Sequence, residues 1–128
     1  MTAMNISTKP LLQKLGLKEG MRIAVLGFAD REFMLDMSYE TCLKEDTGYA
    51  AVLFYASSVE KLSSLRQAKS SIVSNGMLWV VYPKGVKAIT QRQVFFHGNT
   101  EGFVDCKVCR FSSTETALKF VRRLTERS

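Results

Sequence analysis

The chain has 128 residues, 46% apolar and 23% charged, with three cysteines and a formal net charge of +6. That is the length of one domain with material for a proper core, in the composition of an ordinary globular protein. No apolar run approaches the roughly 18–20 residues that cross a bilayer, and Met1–Pro10 lacks the apolar segment of a signal peptide; one cytoplasmic domain over 1–128, with no membrane partner, is expected.

In chain order, Thr8–Gly16 reads as a short helix, with Ser7 or Thr8 as cap, Pro10 in the first turn and Gly16 as the stop. Met21–Leu26 is a buried strand ending at Gly27. Asp30–Met37 carries Phe33, Met34 and Met37 at helical spacing, and Tyr39–Leu43 is a weak strand. Ala50–Tyr55 is apolar on both faces. Ser57-Ser-Val-Glu60 matches a capping box. The helix it predicts buries Val59, Leu62, Leu65, Ala68 and Ile72 and stops at Asn75-Gly76. Met77–Tyr82 is six unbroken apolar or aromatic residues, the pattern of an interior strand covered on both sides. Thr90-Gln-Arg-Gln93 is a second capping box, opening a helix that ends by Gly98 or Gly102. Phe103–Phe111 and Glu115–Arg123 are strands joined by Ser112-Ser-Thr114, hence an antiparallel hairpin.

Alternating strands and helices imply a parallel sheet with right-handed crossovers. The predicted fold is α/β, a three-layer Rossmann-like sandwich with a mostly parallel sheet of five or six strands. The terminal hairpin narrows it to folds like that of the class I methyltransferases.

Four segments carry a further resemblance: Lys14–Leu26, Gly76–Lys84, Gly102–Cys109 and Leu118–Arg122. The chain resembles a family of small bacterial proteins, known as a domain of unknown function, with a shortened methyltransferase-like Rossmann fold. The family pattern has a Trp where this chain has Tyr82, and an acid after the Thr at the next helix, where this chain has Gln91. The resemblance implies the fold and no particular reaction.

The chemistry is sparse. A P-loop signature is absent. Cys106-Lys-Val-Cys109 lies in a strand, where residues three apart point to opposite faces. With His97 the only histidine, packed thiols are expected rather than a zinc or redox site. His97 reads as a helix-surface or core-edge residue. Residues 1–64 carry seven Lys/Arg and eight Asp/Glu, residues 65–128 eleven and four, so the second half is basic. A solvated basic face is the plain reading; nucleic acid or an anionic ligand is the alternative, through Lys119–Arg123.

In such sheets ligands bind at the carboxyl ends of strands. The candidate cleft is Gly27, Phe28, Arg31, Ser57, Ser58, Tyr82, Pro83 and Lys84, with the amides after Ser57–Ser58 offered to an anion. The turn Gly27–Arg31 holds one glycine, and Glu45 or Asp46 would have to hold the ribose of a nucleoside cofactor. The expectation is therefore a non-catalytic binding or interaction module with no cofactor and no catalytic residue. The alternatives are an S-adenosylmethionine-dependent methyltransferase and a nucleic-acid-binding accessory protein. Pairing of Tyr39–Leu43 with a second copy would make a homodimer.

Overall fold

The computed structural model describes residues 15–18, 20–27, 40 and 48–122. Three short apolar runs form its parallel centre: β1 (Ile23–Leu26), β2 (Tyr49–Tyr55) and β3 (Ile72–Pro83). β1 pairs in parallel with β2, from Ile23↔Ala51 to Leu26↔Phe54, and β2 in parallel with β3, from Ala51↔Met77 to Tyr55↔Val81. β4 (Phe103–Ser112) and β5 (Glu115–Arg122) form an antiparallel hairpin, and β5 inserts between β3 and β4, giving the order β1-β2-β3-β5-β4. On the other edge of β1, Glu40 forms a parallel bridge with Ala24: the Val25 amide donates to the Glu40 carbonyl at 2.7 Å, and the Glu40 amide to the Ile23 carbonyl at 2.8 Å. This is a sixth strand position. It places Glu40 on one side of β1 and β2 on the other, so the strand order reverses there. Of the predicted strand Tyr39–Leu43, Glu40 alone is described. The predicted helix Asp30–Met37 lies outside the described residues, as does all of the first helix before Leu15.

Alternation along the interior strands feeds two cores. Val52, Phe54, Leu78, Val80, Leu118 and Phe120 face a helical layer. Ala51, Leu53, Trp79, Val81 and Ala117 face the opposite way, onto Leu15 and Leu17. Trp79 is fully buried there, and its indole N–H, which burial obliges to find a partner, donates to the Leu15 carbonyl at 2.9 Å. Burial on both faces is what the unbroken run Met77–Tyr82 required.

The helical layer departs from the sequence reading at three points. A 3-10 segment, Val59–Ser64, precedes a short α1 (Leu65–Ser71), and Ser58, not Ser57, is the N-cap, with no side-chain capping bond. The Ser57–Glu60 capping box does not form. The helix also ends at Ser71, four residues before Asn75-Gly76, and Ile72 is already extended at φ −96°, ψ 137°. The predicted apolar face survives, because Leu62, Leu65, Ala68 and Ile72 all enter one core; only the backbone carrying Ile72 differs. Arg122 from β5 explains the early stop. Its guanidinium donates to the Lys69 carbonyl and, at 2.8 Å, to the Ile72 carbonyl, so carbonyls at the helix end are satisfied by a distant side chain.

The second capping box does form. Thr90 caps α2 (Gln91–Thr100), accepting from the Gln93 amide at 3.3 Å, and Gln93 accepts from the Thr90 amide at 3.0 Å. In β4 the pairing register slips between Asp105 and Lys107, so Cys106 is the extra residue of a bulge and is exposed. Cys109 pairs opposite Ala117 and packs half-buried near the Trp79 core. The packed-thiol expectation thus holds for Cys109 and not for Cys106, because a bulge lifts Cys106 out of the ladder. No helix among the described residues is long and apolar enough to cross a membrane.

Candidate functional site

The carboxyl ends of β1, β2 and β3 share one edge of the sheet, beside the point where strand order reverses. The register brings Gly27, Ser57, Ser58, Tyr82, Pro83 and Lys84 to this edge; Phe28 and Arg31 lie outside the described residues. Gly27 leaves β1 at φ +85°, and a Cβ there would lie 2.6 Å from the Tyr55 carbonyl oxygen. Both the conformation and the backbone contact exclude other residues. Gly27 therefore packs directly on the end of β2, with no side chain between them.

Ser57 is exposed and Ser58 half-buried. The amides beyond them are not the open cradle that the sequence suggested. The element is a six-residue 3-10 helix, and its first amide, of Val59, donates to the Ala88 carbonyl at 3.0 Å. That bond ties the loop after β3 across to the end of β2.

A cavity of about 250 Å³ opens one strand further along. Tyr82 and Pro83 from β3 and Thr116 from β5 line it on the sheet side, Ile89, Thr90 and Gln91 line it at the entrance to α2, and Lys84, Gly85 and Val86 complete it. Tyr82 is only 3% exposed, and its hydroxyl donates to Gln91 Oε1 at 3.4 Å. Burial raises its pKa above the ordinary 10.0, so it remains a neutral phenol. Lys84 is exposed, and its backbone amide donates to the Thr114 carbonyl at 3.0 Å, joining the loop to the hairpin turn. Of the sequence candidates, Tyr82, Pro83 and Lys84 line this cavity, whereas Gly27, Ser57 and Ser58 do not. Thr116, Ile89 and Gln91 were missed. Nothing local marks Thr116; it arrives through the Tyr82↔Thr116 pairing. Gln91 carried a signal, as the first helical residue after a recognisable cap.

The remaining polar residues do other work. Glu40, the described acid of the outer strand position, accepts from Arg22 Nε at 3.0 Å and from the Tyr49 hydroxyl at 2.6 Å. Tyr49 opens β2, so this cluster sits at the amino ends of the strands, away from the reversal crevice. Glu45 and Asp46 lie outside the described residues. His97 is half-buried on α2 and meets Phe96 edge-on at 5.8 Å. Among the described residues no group of three or more His, Cys, Asp or Glu could hold a metal ion.

No protein-family profile and no curated protein sequence matches the chain. Solved structures do. The chain is similar to an S-adenosylmethionine-dependent methyltransferase from Aquifex aeolicus, with TM-score 0.66 and 11% identity over 89% of this chain and 88% of that one. It is similar to a TehB-like S-adenosylmethionine-dependent methyltransferase from Corynebacterium glutamicum, with TM-score 0.62 and 10% identity over 93% and 89%. A third is the magnesium protoporphyrin IX methyltransferase of Synechocystis with bound S-adenosylmethionine, TM-score 0.58 and 11% identity over 93% and 77%. At these identities the likeness defines the fold, a shortened class I methyltransferase-like Rossmann fold. It also corrects the sequence reading of function. A non-catalytic binding or interaction module was expected from the glycine-poor turn, yet these three structures of the same fold are methyltransferases, one of them with S-adenosylmethionine bound. The alternative, a methyltransferase, is the better supported of the two. The one glycine of this turn is the residue whose Cβ would strike Tyr55.

Proposed function

We propose that the chain is a small S-adenosylmethionine-dependent methyltransferase, cytoplasmic and formed by one domain over 1–128, with the shortened fold of the small bacterial family its four segments resemble. The observation carrying this reading is Gly27: a left-handed glycine, pressed on the end of β2, at the reversal point of a methyltransferase-like sheet. Ligands of open α/β sheets sit in that crevice, and a glycine at the first turn lets backbone approach a nucleoside. The residues described there fit such a group. Gly27 ends β1 against Tyr55, and Ser57 and Ser58 follow β2 at the same edge of the sheet. When bound, S-adenosylmethionine supplies a sulfonium methyl to a nucleophile. This chain's contribution is to hold the donor over β1 and β2, and an acceptor over β3, where Tyr82 presents a neutral hydroxyl.

Calorimetry with S-adenosylmethionine on the full chain tests the reading. Measurable heat is expected, with a thermal shift corresponding to about 2.7 kcal/mol at a hundredfold excess over Kd. Absence of both heat and shift would sink it.

A further inference from the structure

The cavity at the end of β3 has a chemical character of its own. Its walls are apolar where Pro83, Ile89 and the ring of Tyr82 line it, and among the described residues its one charged lining residue is a lysine, Lys84. The neutral polar groups supplied by Tyr82, Gln91 and Thr116 can all donate. Tyr82 donates to Gln91 Oε1, which leaves the amide N–H groups of Gln91 as donors. At 3.4 Å that bond is long for an O–H···O contact, so either partner can turn to a ligand oxygen at small cost. Among the described residues no carboxylate lines the cavity. A volume of about 250 Å³ falls below the roughly 300–1,000 Å³ of pockets for drug-sized ligands, which selects a small molecule. Neighbouring strands lie about 4.8 Å apart, so the cavity on β3 is one strand from Ser57–Ser58 and two from Gly27. A donor held over β1 and β2 would have its neighbour here.

We propose that this cavity is the acceptor subsite, and that it selects a small molecule with an apolar body and one anionic group, a carboxylate or phosphate, paired with Lys84. The assignment rests on the methyltransferase reading. Lys84 fixes the anionic end at the rim. Pro83 and Ile89 take the apolar body, and Gln91 and Thr116 orient any further oxygen. The acceptor's own nucleophile then points along the sheet edge towards β2.

The test uses the full ¹⁵N-labelled chain and three probes: S-adenosylhomocysteine, benzoate, and benzamide, which matches benzoate in shape without its charge. Benzoate is expected to move the amide signals of Lys84, Gln91 and Thr116 and to bind about fivefold more tightly than benzamide, the ratio an exposed ion pair yields. Lys84→Gln should erase that preference and leave the response of Gly27 to S-adenosylhomocysteine unchanged. Equal affinity for the two probes, shifts confined to another surface, or a preference that survives Lys84→Gln overturns the anionic subsite while leaving the methyltransferase reading intact. If S-adenosylhomocysteine leaves Gly27 unmoved, the methyltransferase reading fails, and the acceptor role of the cavity fails with it.

Discussion

At Gly27 and Gly98 the surroundings favour glycine, and for different reasons. Gly27 needs both a left-handed conformation and a missing Cβ. Gly27→Ala is expected to lower stability by about 1–3 kcal/mol in urea unfolding, and to abolish cofactor heat. Gly98 lies within α2, where alanine would gain about 1 kcal/mol of helix propensity. A Cβ there would drive into the Phe120 ring, closer than carbon atoms approach. Overpacking costs about 1–3 kcal/mol, so Gly98→Ala should be destabilising overall despite the better helix former. Tyr82 makes a pH prediction. Its pKa is raised in the folded chain above the unfolded value near 10.0. The native state therefore holds the phenolic proton more tightly. The stability this contributes is complete below pH 10 and is lost as pH rises through the folded pKa. The urea midpoint of the wild type should fall more between about pH 9 and about pH 11 than that of Tyr82→Phe; parallel declines would show that Tyr82 carries no such linkage.

Among the elements, the two capping signals look equivalent on paper and diverge in the structure. Thr90 makes the reciprocal bonds with Gln93, whereas Ser58 makes no capping bond and precedes a 3-10 segment. Thr90→Ala should cost about 1 kcal/mol, and Ser58→Ala less than about 0.5 kcal/mol, by chemical denaturation. The cause of the difference is tertiary. The Val59 amide is already bonded to Ala88, which pins the start of the helical segment to the loop after β3. Arg122 shows the same effect at the other end of that segment. In sequence it belonged to a basic cluster that could meet nucleic acid; in the fold its guanidinium closes the carbonyls of Lys69 and Ile72. Hydrogen bonds from a charged group contribute about 1.5–3 kcal/mol, so Arg122→Ala is expected to lower the unfolding free energy, read from urea denaturation, by an amount in that range.

For the whole molecule, the interior strands were legible because burial on both faces leaves an unbroken apolar run, as in Ala50–Tyr55 and Met77–Tyr82. The hairpin was legible because only two residues, Ser113 and Thr114, separate β4 from β5. The site was legible in part. Tyr82, Pro83 and Lys84 follow a strand that can be recognised, so its carboxyl end could be located. Thr116 could not, since it reaches the cavity only through the antiparallel register of β5 on β3. The edge strand β4 exposes Val104 and Val108, yet its two register breaks, near Cys106 and at Arg110–Ser112, twist the ladder that a second copy would need.

What the sequence determined by itself was the class of fold and which strands lie inside it, because hydrophobic periodicity is a local record of how many faces of an element are buried. It also determined the cap at Thr90, whose partners sit three residues away. The tertiary structure decided where α1 stops, which of two capping signals forms, and whether Arg122 is displayed or consumed. It decided as well that Gly27 lies against Tyr55, and that Thr116 joins Tyr82 at a cavity over β3. Each of these depends on a contact between residues distant in the chain, Gly27 with Tyr55, Val59 with Ala88, Arg122 with Lys69 and Ile72. No local pattern records such contacts, because the energy that selects them appears only when the sheet brings the partners together.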